Sequence, residues 1–93
     1  MSYYFKKKYK FSDHGFVRIK NRLKLKDKSD LEIINYCLSL IELSHEVYET
    51  KTLKYVKVNQ TDLYFIINKF DNLIITLSPI KPGKLLANLD QEL

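Results

Sequence analysis

Residues 53–77 read LKYVKVNQTDLYFIINKFDNLIITL and decide the fold class of the chain. Three runs rich in β-branched, aliphatic and aromatic residues are separated by short polar stretches: Leu53–Val58, Leu63–Asn68 and Leu73–Leu77. The separators contain Asn and Asp, which favour turns because their side chains hydrogen-bond to the nearby backbone. Neighbouring runs are too close together for a crossover connection, so the pattern predicts an antiparallel meander of three strands.

A helix is predicted immediately before these strands. The sequence Ser29-Asp30-Leu31-Glu32 matches a capping box, in which the first and fourth side chains bind each other's backbone N–H groups. From there to Leu43 the polar side chains recur three or four positions apart and form one narrow stripe: Glu32, Asn35, Ser39 and Glu42. Because the other positions are apolar or aromatic, we expect this helix to be wedged between another helix and the sheet. Cys37 lies within it and is predicted to be a buried hydrophobe, since burial raises the pKa of a thiol.

A first helix is predicted from Ser12 or Asp13, either of which can cap it, to about Lys24. One side of this helix is apolar and carries Phe16, Ile19 and Leu23, while the opposite side carries His14, Arg18 and Arg22. Residues four apart lie above one another on a helix, so the last three form a single column. An imidazole can move a proton near neutral pH, and two guanidiniums can hold phosphate oxygens.

The column is therefore a candidate phosphate-directed site, with His14, Arg18 and Arg22 as the candidate catalytic residues. The alternative is that both arginines form surface ion pairs and that His14 is a spacer in the first turn. Gly15, next to His14, is expected to weaken the helix.

Positive charge is concentrated at the N-terminus. Residues 1–28 carry ten Lys and Arg against two acids, a net charge of +8, whereas residues 29–93 carry six Lys against nine acids, a net charge of −3. Such a charge distribution attracts polyanions, among which nucleic acid is the commonest inside cells. The alternative interpretation is a solvated face that aids solubility.

Residues 2–11 read SYYFKKKYKF, and their period of two predicts an edge strand with lysines facing outward. Lysine on an edge strand is an ordinary protection against unwanted pairing. The functional alternative is a basic, partly aromatic surface for single-stranded RNA. On that interpretation the candidate nucleic-acid-binding residues are Lys6, Lys8, Lys10, Tyr4 and, on the first helix, Lys20.

The composition limits the remaining possibilities. The 93 residues suit a single domain spanning 1–93, with its core in 11–80 and residues 84–93 as a loose or short helical tail. The single cysteine excludes an internal disulfide, and His45-Glu46 has no second His or Cys at ligand spacing, so we predict no metal and no cofactor. With no long apolar run and no signal-like N-terminus, we expect a cytoplasmic protein that does not enter membranes.

The run Phe11-Ser12-Asp13-His14-Gly15, followed by Arg18 and Arg22-Leu23, resembles the His-x-x-x-Arg-x-x-x-Arg opening of small phage and mobile-element proteins near the barnase/RelE/BrnT-like ribonuclease toxins. Leu73–Leu77 resembles their last strand, and the likeness spans roughly residues 11–80. The resemblance implies a RelE/barnase-like α+β fold, with two N-terminal helices packed on a small antiparallel sheet of three to four strands. For active members it implies metal-independent cleavage of RNA.

The favoured function is RNA binding, with metal-independent endoribonuclease activity of the toxin kind. His14 would be the proton shuttle, Arg18 and Arg22 would hold phosphate oxygens, and the RNA would supply its own 2′-hydroxyl as nucleophile. A second proton-transfer group is expected on the sheet, from Tyr55, Tyr64 or Lys54.

The alternative is a non-enzymatic phage or mobile-element inhibitor that acts on a host nuclease, a defence complex or nucleic acid. The seven tyrosines suit such an interaction protein, because tyrosine is favoured at interface cores. Across these interpretations, the expected protein partner is an antitoxin or a host defence protein. A third option is passive nucleic-acid binding through the N-terminal strand and helix.

Overall fold

The computed structural model describes the backbone of residues 9–92 and the side chains of residues 9–87. The elements in this part of the chain follow in the order β1 (Lys10–Phe11), α1 (Asp13–Arg22), α2 (Asp30–Leu43), β2 (Val47–Glu49), β3 (Leu53–Lys57), β4 (Leu63–Asn68), β5 (Leu73–Pro79) and α3 (Pro82–Glu92). The predicted α+β class is confirmed, and both predicted helices begin at the predicted caps. Within residues 9–92, no helix has the length and apolar character needed to span a bilayer.

The strands form one sheet in the order β1-β5-β4-β3-β2. The predicted meander is confirmed, since β3, β4 and β5 pair antiparallel with their neighbours in the chain. The sheet exceeds the predicted three to four strands because β2 pairs antiparallel with β3 at one edge and β1 pairs parallel with β5 at the other. The edge strand predicted for residues 2–11 is observed at Lys10–Phe11, and residues 2–8 lie outside the described part of the chain.

The two faces of the sheet are covered by different helices, because alternate strand residues point to opposite faces. The main core lies under α1 and α2, where Ile19, Ile33, Cys37 and Leu40 pack on strand residues such as Val56, Phe65 and Ile74. A smaller cluster on the other face joins Tyr55 and Tyr64 to Ile80 and Leu85 at the start of α3. The C-terminal segment is thus a helix that protects the second face.

The capping box of α2 is present in full. Ser29 Oγ accepts from the Glu32 backbone N–H at 3.2 Å, and the Ser29 backbone N–H donates to Glu32 Oε1 at 3.1 Å. The expectation that α2 is covered on two sides is wrong in part, because Leu31, Tyr36 and Leu43 are 54%, 44% and 71% exposed. The helix α1 packs on β5 and leaves the outer side of α2 in solvent.

Candidate nucleic-acid interface

The first turn of α1 is held on β5 by Ser12. The ladder between β4 and β5 shifts register so that Ile75 has no partner on β4, which makes Ile75 a β-bulge. The Ser12 hydroxyl donates to the Ile75 carbonyl oxygen at 2.8 Å and accepts from the Gly15 backbone N–H at 2.9 Å. The side chain of Ser12 therefore has two roles: it caps α1 and it attaches the helix to the bulge.

Gly15 permits this close approach of helix and strand. It is buried, and a Cβ built on it would lie 2.5 Å from the Ile75 carbonyl oxygen and 2.8 Å from Ser12 Oγ. The sequence interpretation treated Gly15 as a weakness of the helix, which costs about 1 kcal/mol relative to alanine. The structure adds a second role, since the missing side chain is what allows α1 to dock on β5.

The candidate catalytic column points away from Ile19, the buried residue at the centre of α1. His14 and Arg22 are exposed, and Arg18 is half-buried. The ion pairs among the described residues involve the lysines Lys20, Lys57 and Lys69 instead. Within residues 9–87, neither arginine has an acidic partner, so the surface ion pairs of the alternative interpretation are not observed.

The other candidate nucleic-acid-binding residues have different surroundings. Lys10 is exposed on the edge strand β1. Lys20 links the two helices, because its Nζ lies 3.7 Å from Asp30 Oδ1 and 5.5 Å from the ring centroid of Phe16. The remaining three, Tyr4, Lys6 and Lys8, lie outside the described residues.

The structure does not bring the expected tyrosines to His14. Tyr55 and Tyr64 are both buried in the cluster under α3, on the face of the sheet opposite α1. The third candidate, Lys54, has its Nζ 5.8 Å from the ring centroid of Tyr9. Neither tyrosine can therefore exchange a proton at the column.

The column does not line the surface clefts that the described residues form. Three surface clefts with volumes of about 220, 230 and 360 Å³ are formed by the described residues. His14, Arg18 and Arg22 line none of these three. The column therefore takes no part in enclosing a ligand at any of these three clefts.

The cleft of about 220 Å³ contains polar groups that sequence reasoning did not bring together. It lies at the end of α2, and its polar lining comes from two parts of the chain: Ser44, His45 and Glu46 after α2, and Lys57, Asn59 and Gln60 at the end of β3. The sequence interpretation considered His45 and Glu46 for a metal and went no further. The contact between Glu46 and Tyr48 could have been predicted from their spacing, because residues two apart lie on the same side of an extended strand.

Glu46 is held in this cleft by two neighbours. Its Oε1 accepts from the Tyr48 hydroxyl at 2.8 Å, and its Oε2 accepts from Lys57 Nζ at 3.3 Å. These hydrogen bonds, the one from Tyr48 above all, lower the pKa of the Glu46 carboxyl. The same bond to the Glu46 carboxylate raises the pKa of Tyr48. The carboxylate is therefore ionised at neutral pH and is already engaged by both partners.

Cys37 has the structural role predicted for it. The residue is 0% exposed in the main core, and burial raises the pKa of its thiol to about 12. Among the described residues, no three His, Cys, Asp or Glu side chains are grouped so as to hold a metal ion.

Comparisons of the chain with protein-family models, with curated proteins and with solved structures give no match. The interpretation of function therefore depends on the sites described above.

Proposed function

We propose that this protein binds RNA through the face of α1 that carries Arg18 and Arg22. The observation that carries the proposal is that these two guanidiniums, one helical turn apart, lack an acidic partner among the described residues. Arginine presents a planar fork of donors that matches phosphate oxygens bidentately. Two such forks on successive turns can engage two phosphates of one strand.

The charge around α1 supports the same proposal. The loop that follows α1 carries three exposed lysines, Lys24, Lys26 and Lys28. Residues 9–28 carry seven Lys and Arg against Asp13 and Asp27, a net charge of +5. Cations arranged in this way bind a polyanion mainly through release of its counterions, so the affinity depends on salt.

The test is the salt dependence of binding to a single-stranded RNA, measured by fluorescence anisotropy. Arg18→Ala/Arg22→Ala should weaken binding to every RNA and reduce the slope of log K against log salt by about 0.7 for each lost phosphate contact. The matched control is Lys81→Ala/Lys84→Ala, which removes two exposed charges at the start of α3 on the opposite side of the sheet.

Replacing Lys6, Lys8 and Lys10 together should flatten the same slope if the basic N-terminal segment adds phosphate contacts. Equal losses in the arginine pair and in the α3 control would mean that net charge matters and the α1 face does not. A wild-type protein without salt-sensitive RNA binding would refute the proposal and favour the inhibitor interpretation.

A second candidate function is metal-independent RNA cleavage by the same face, as the RelE/barnase-like resemblance implies. The specific observation in its favour is that His14 is exposed on the same helix face as Arg18 and Arg22. The imidazole would move the proton, and the arginines would stabilise the charge that develops on the phosphate.

Cleavage is tested with RNA, including RNA on translating ribosomes, in excess EDTA. The products should end in 2′,3′-cyclic phosphate, and His14→Ala should reduce the rate about 10²- to 10⁴-fold while RNA affinity remains nearly unchanged. Arg18→Lys should also reduce the rate, because lysine keeps the charge but loses the fork. If His14→Ala cleaves as well as the wild type, the column is a binding surface alone.

A further inference from the structure

The polar cleft is the concavity formed by Leu43, Ser44, His45, Glu46, Lys57, Asn59 and Gln60. On one side, Ser44 Oγ donates to the Lys57 carbonyl oxygen at 2.7 Å and so ties the end of α2 to β3. On the other side, Thr61 Oγ1 donates to the Val58 carbonyl oxygen at 2.6 Å and accepts from the Leu63 backbone N–H at 3.1 Å. The backbone on both sides of the cleft is therefore tied to its neighbours by side-chain hydrogen bonds.

The two charged side chains of the polar cleft, Glu46 and Lys57, form an ion pair with each other. Lys57 Nζ and the Tyr48 hydroxyl engage the two oxygens of Glu46. The polar groups left for a ligand are the imidazole of His45 and the side-chain amides of Asn59 and Gln60. These three side chains make no hydrogen bond within the described part of the chain. Leu43, 71% exposed, adds an apolar surface beside them.

This combination fits a planar, uncharged ring with both donors and acceptors on its edge. The volume of about 220 Å³ is below the roughly 300–1,000 Å³ of sites for drug-sized ligands, so one ring system fits better than a whole nucleotide. Imidazole and leucine can pack on a ring face, while an amide matches the adjacent donor and acceptor of adenine bidentately.

We propose that the polar cleft holds one unpaired adenine base of the RNA that the α1 face binds by its phosphates. The identity of the larger ligand rests on the proposed function, whereas recognition of the base depends on the polar cleft alone. Phosphate contacts position an RNA without reading its sequence, and unstacked bases are what proteins read in single-stranded RNA. The polar cleft would supply the sequence preference that the α1 face lacks.

The helix α2 connects the neighbourhood of α1 with the polar cleft. The helix α2 begins beside α1, where Asp30 pairs with Lys20, and ends at Leu43 in the polar cleft. Its 14 residues span about 21 Å at 1.5 Å per residue. Lys20 and the two arginines lie on different sides of α1, so an RNA that occupies both sites must pass around α1 as well as cover a distance of this order.

The two histidines of the chain provide a direct test, because His14 reports on the α1 face and His45 on the polar cleft. Their imidazole C–H signals are followed by NMR and assigned from the signal that is missing in His14→Ala. Adenosine, which has no phosphate, should shift the His45 signal saturably and leave His14 unmoved. Inorganic phosphate at constant pH should shift His14 and leave His45 unmoved.

The variant Asn59→Gly/Gln60→Ala removes both amides, and glycine tolerates the left-handed backbone of Asn59 (φ 50°). It should weaken adenosine binding roughly five- to hundredfold, as expected for loss of a bidentate base contact. The matched control, Asn35→Ala, removes an exposed amide from α2 and should bind adenosine like the wild type.

Adenosine that leaves the His45 signal in place overturns the proposal, as do equal shifts with uridine, cytidine and guanosine. Unchanged adenosine affinity in the amide variant also overturns it. A His45 shift with adenosine in a protein that binds no RNA would refute the function proposed for α1 while the base site stands. RNA binding by a protein in which adenosine does not shift the His45 signal would refute the base site alone.

Discussion

Replacing Gly15 by alanine should destabilise the protein, although the same change in an exposed helix is stabilising. The new methyl group would lie 2.5 Å from a backbone carbonyl oxygen of β5, so relief requires α1 to move away from the sheet. That movement weakens two hydrogen bonds of Ser12, each worth about 1 kcal/mol. Disturbing the packing around Ile19 lowers the free energy of unfolding by about 1–3 kcal/mol more. The higher helix propensity of alanine offsets about 1 kcal/mol of this loss.

The expected net loss is about 2–4 kcal/mol in the free energy of unfolding, which lowers the urea midpoint by about 1–2 M. Gly83→Ala is the matched control, because Gly83 lies in the first turn of α3 and a Cβ there meets nothing within 4 Å. It should be neutral or stabilising by up to about 1 kcal/mol. If both variants unfold at the wild-type urea concentration or above it, the attachment of α1 to the bulge is wrong.

Three further outcomes are expected from the packing and the pKa shifts. Ile74→Ala should lower the free energy of unfolding by about 2–5 kcal/mol, because Ile74 is fully buried. Ile75→Ala, at the half-buried bulge, should lower it clearly less. Equal losses in chemical denaturation would contradict the difference in burial between the two residues. Cys37 should not react with a thiol reagent at neutral pH until the protein unfolds, and labelling of the native protein at the rate of a free thiol would show that the core opens. Because folding lowers the pKa of Glu32 and of Glu46, both carboxylates stabilise the protein above their ordinary pKa of 4.5 and lose that contribution as the pH falls through the lowered values. Glu32→Gln and Glu46→Gln should therefore each flatten the acid side of a stability profile measured by thermal unfolding, and profiles parallel to wild type would refute the hydrogen bonds to these carboxylates.

Features encoded over a few neighbouring residues were predictable from the sequence. The capping box at Ser29 depends on residues three apart, and the strands from Leu53 to Leu77 carry their own turn residues. The column of His14, Arg18 and Arg22 was predictable for the same reason, since helical spacing alone aligns it. The burial of Cys37 followed from the apolar positions around it.

Features that depend on distant residues were not predictable. The strand β2 is short and half polar, and it becomes a strand because β3 offers it a free edge. The pairing of β1 with β5 is parallel and joins opposite ends of the chain, so no local pattern indicates it. Gly15 gains its role from the Ile75 carbonyl, and the polar cleft joins two separate parts of the chain, within residues 43–46 and 57–60, that have no common motif.

The hydrogen bond from Ser12 to the bulge of β5 joins residues 63 positions apart, which orders events during synthesis of the chain. At about 5–20 residues per second, roughly 3–13 s pass between the translation of these two positions. A ten-residue helix is marginal by itself in water, so α1 lacks a stable form during that interval. Arg18 and Arg22 then have no fixed spacing, so the face proposed to bind RNA is not yet assembled in the nascent chain. The attachment to the bulge thus delays the stable folding of α1 until β5 has left the ribosome.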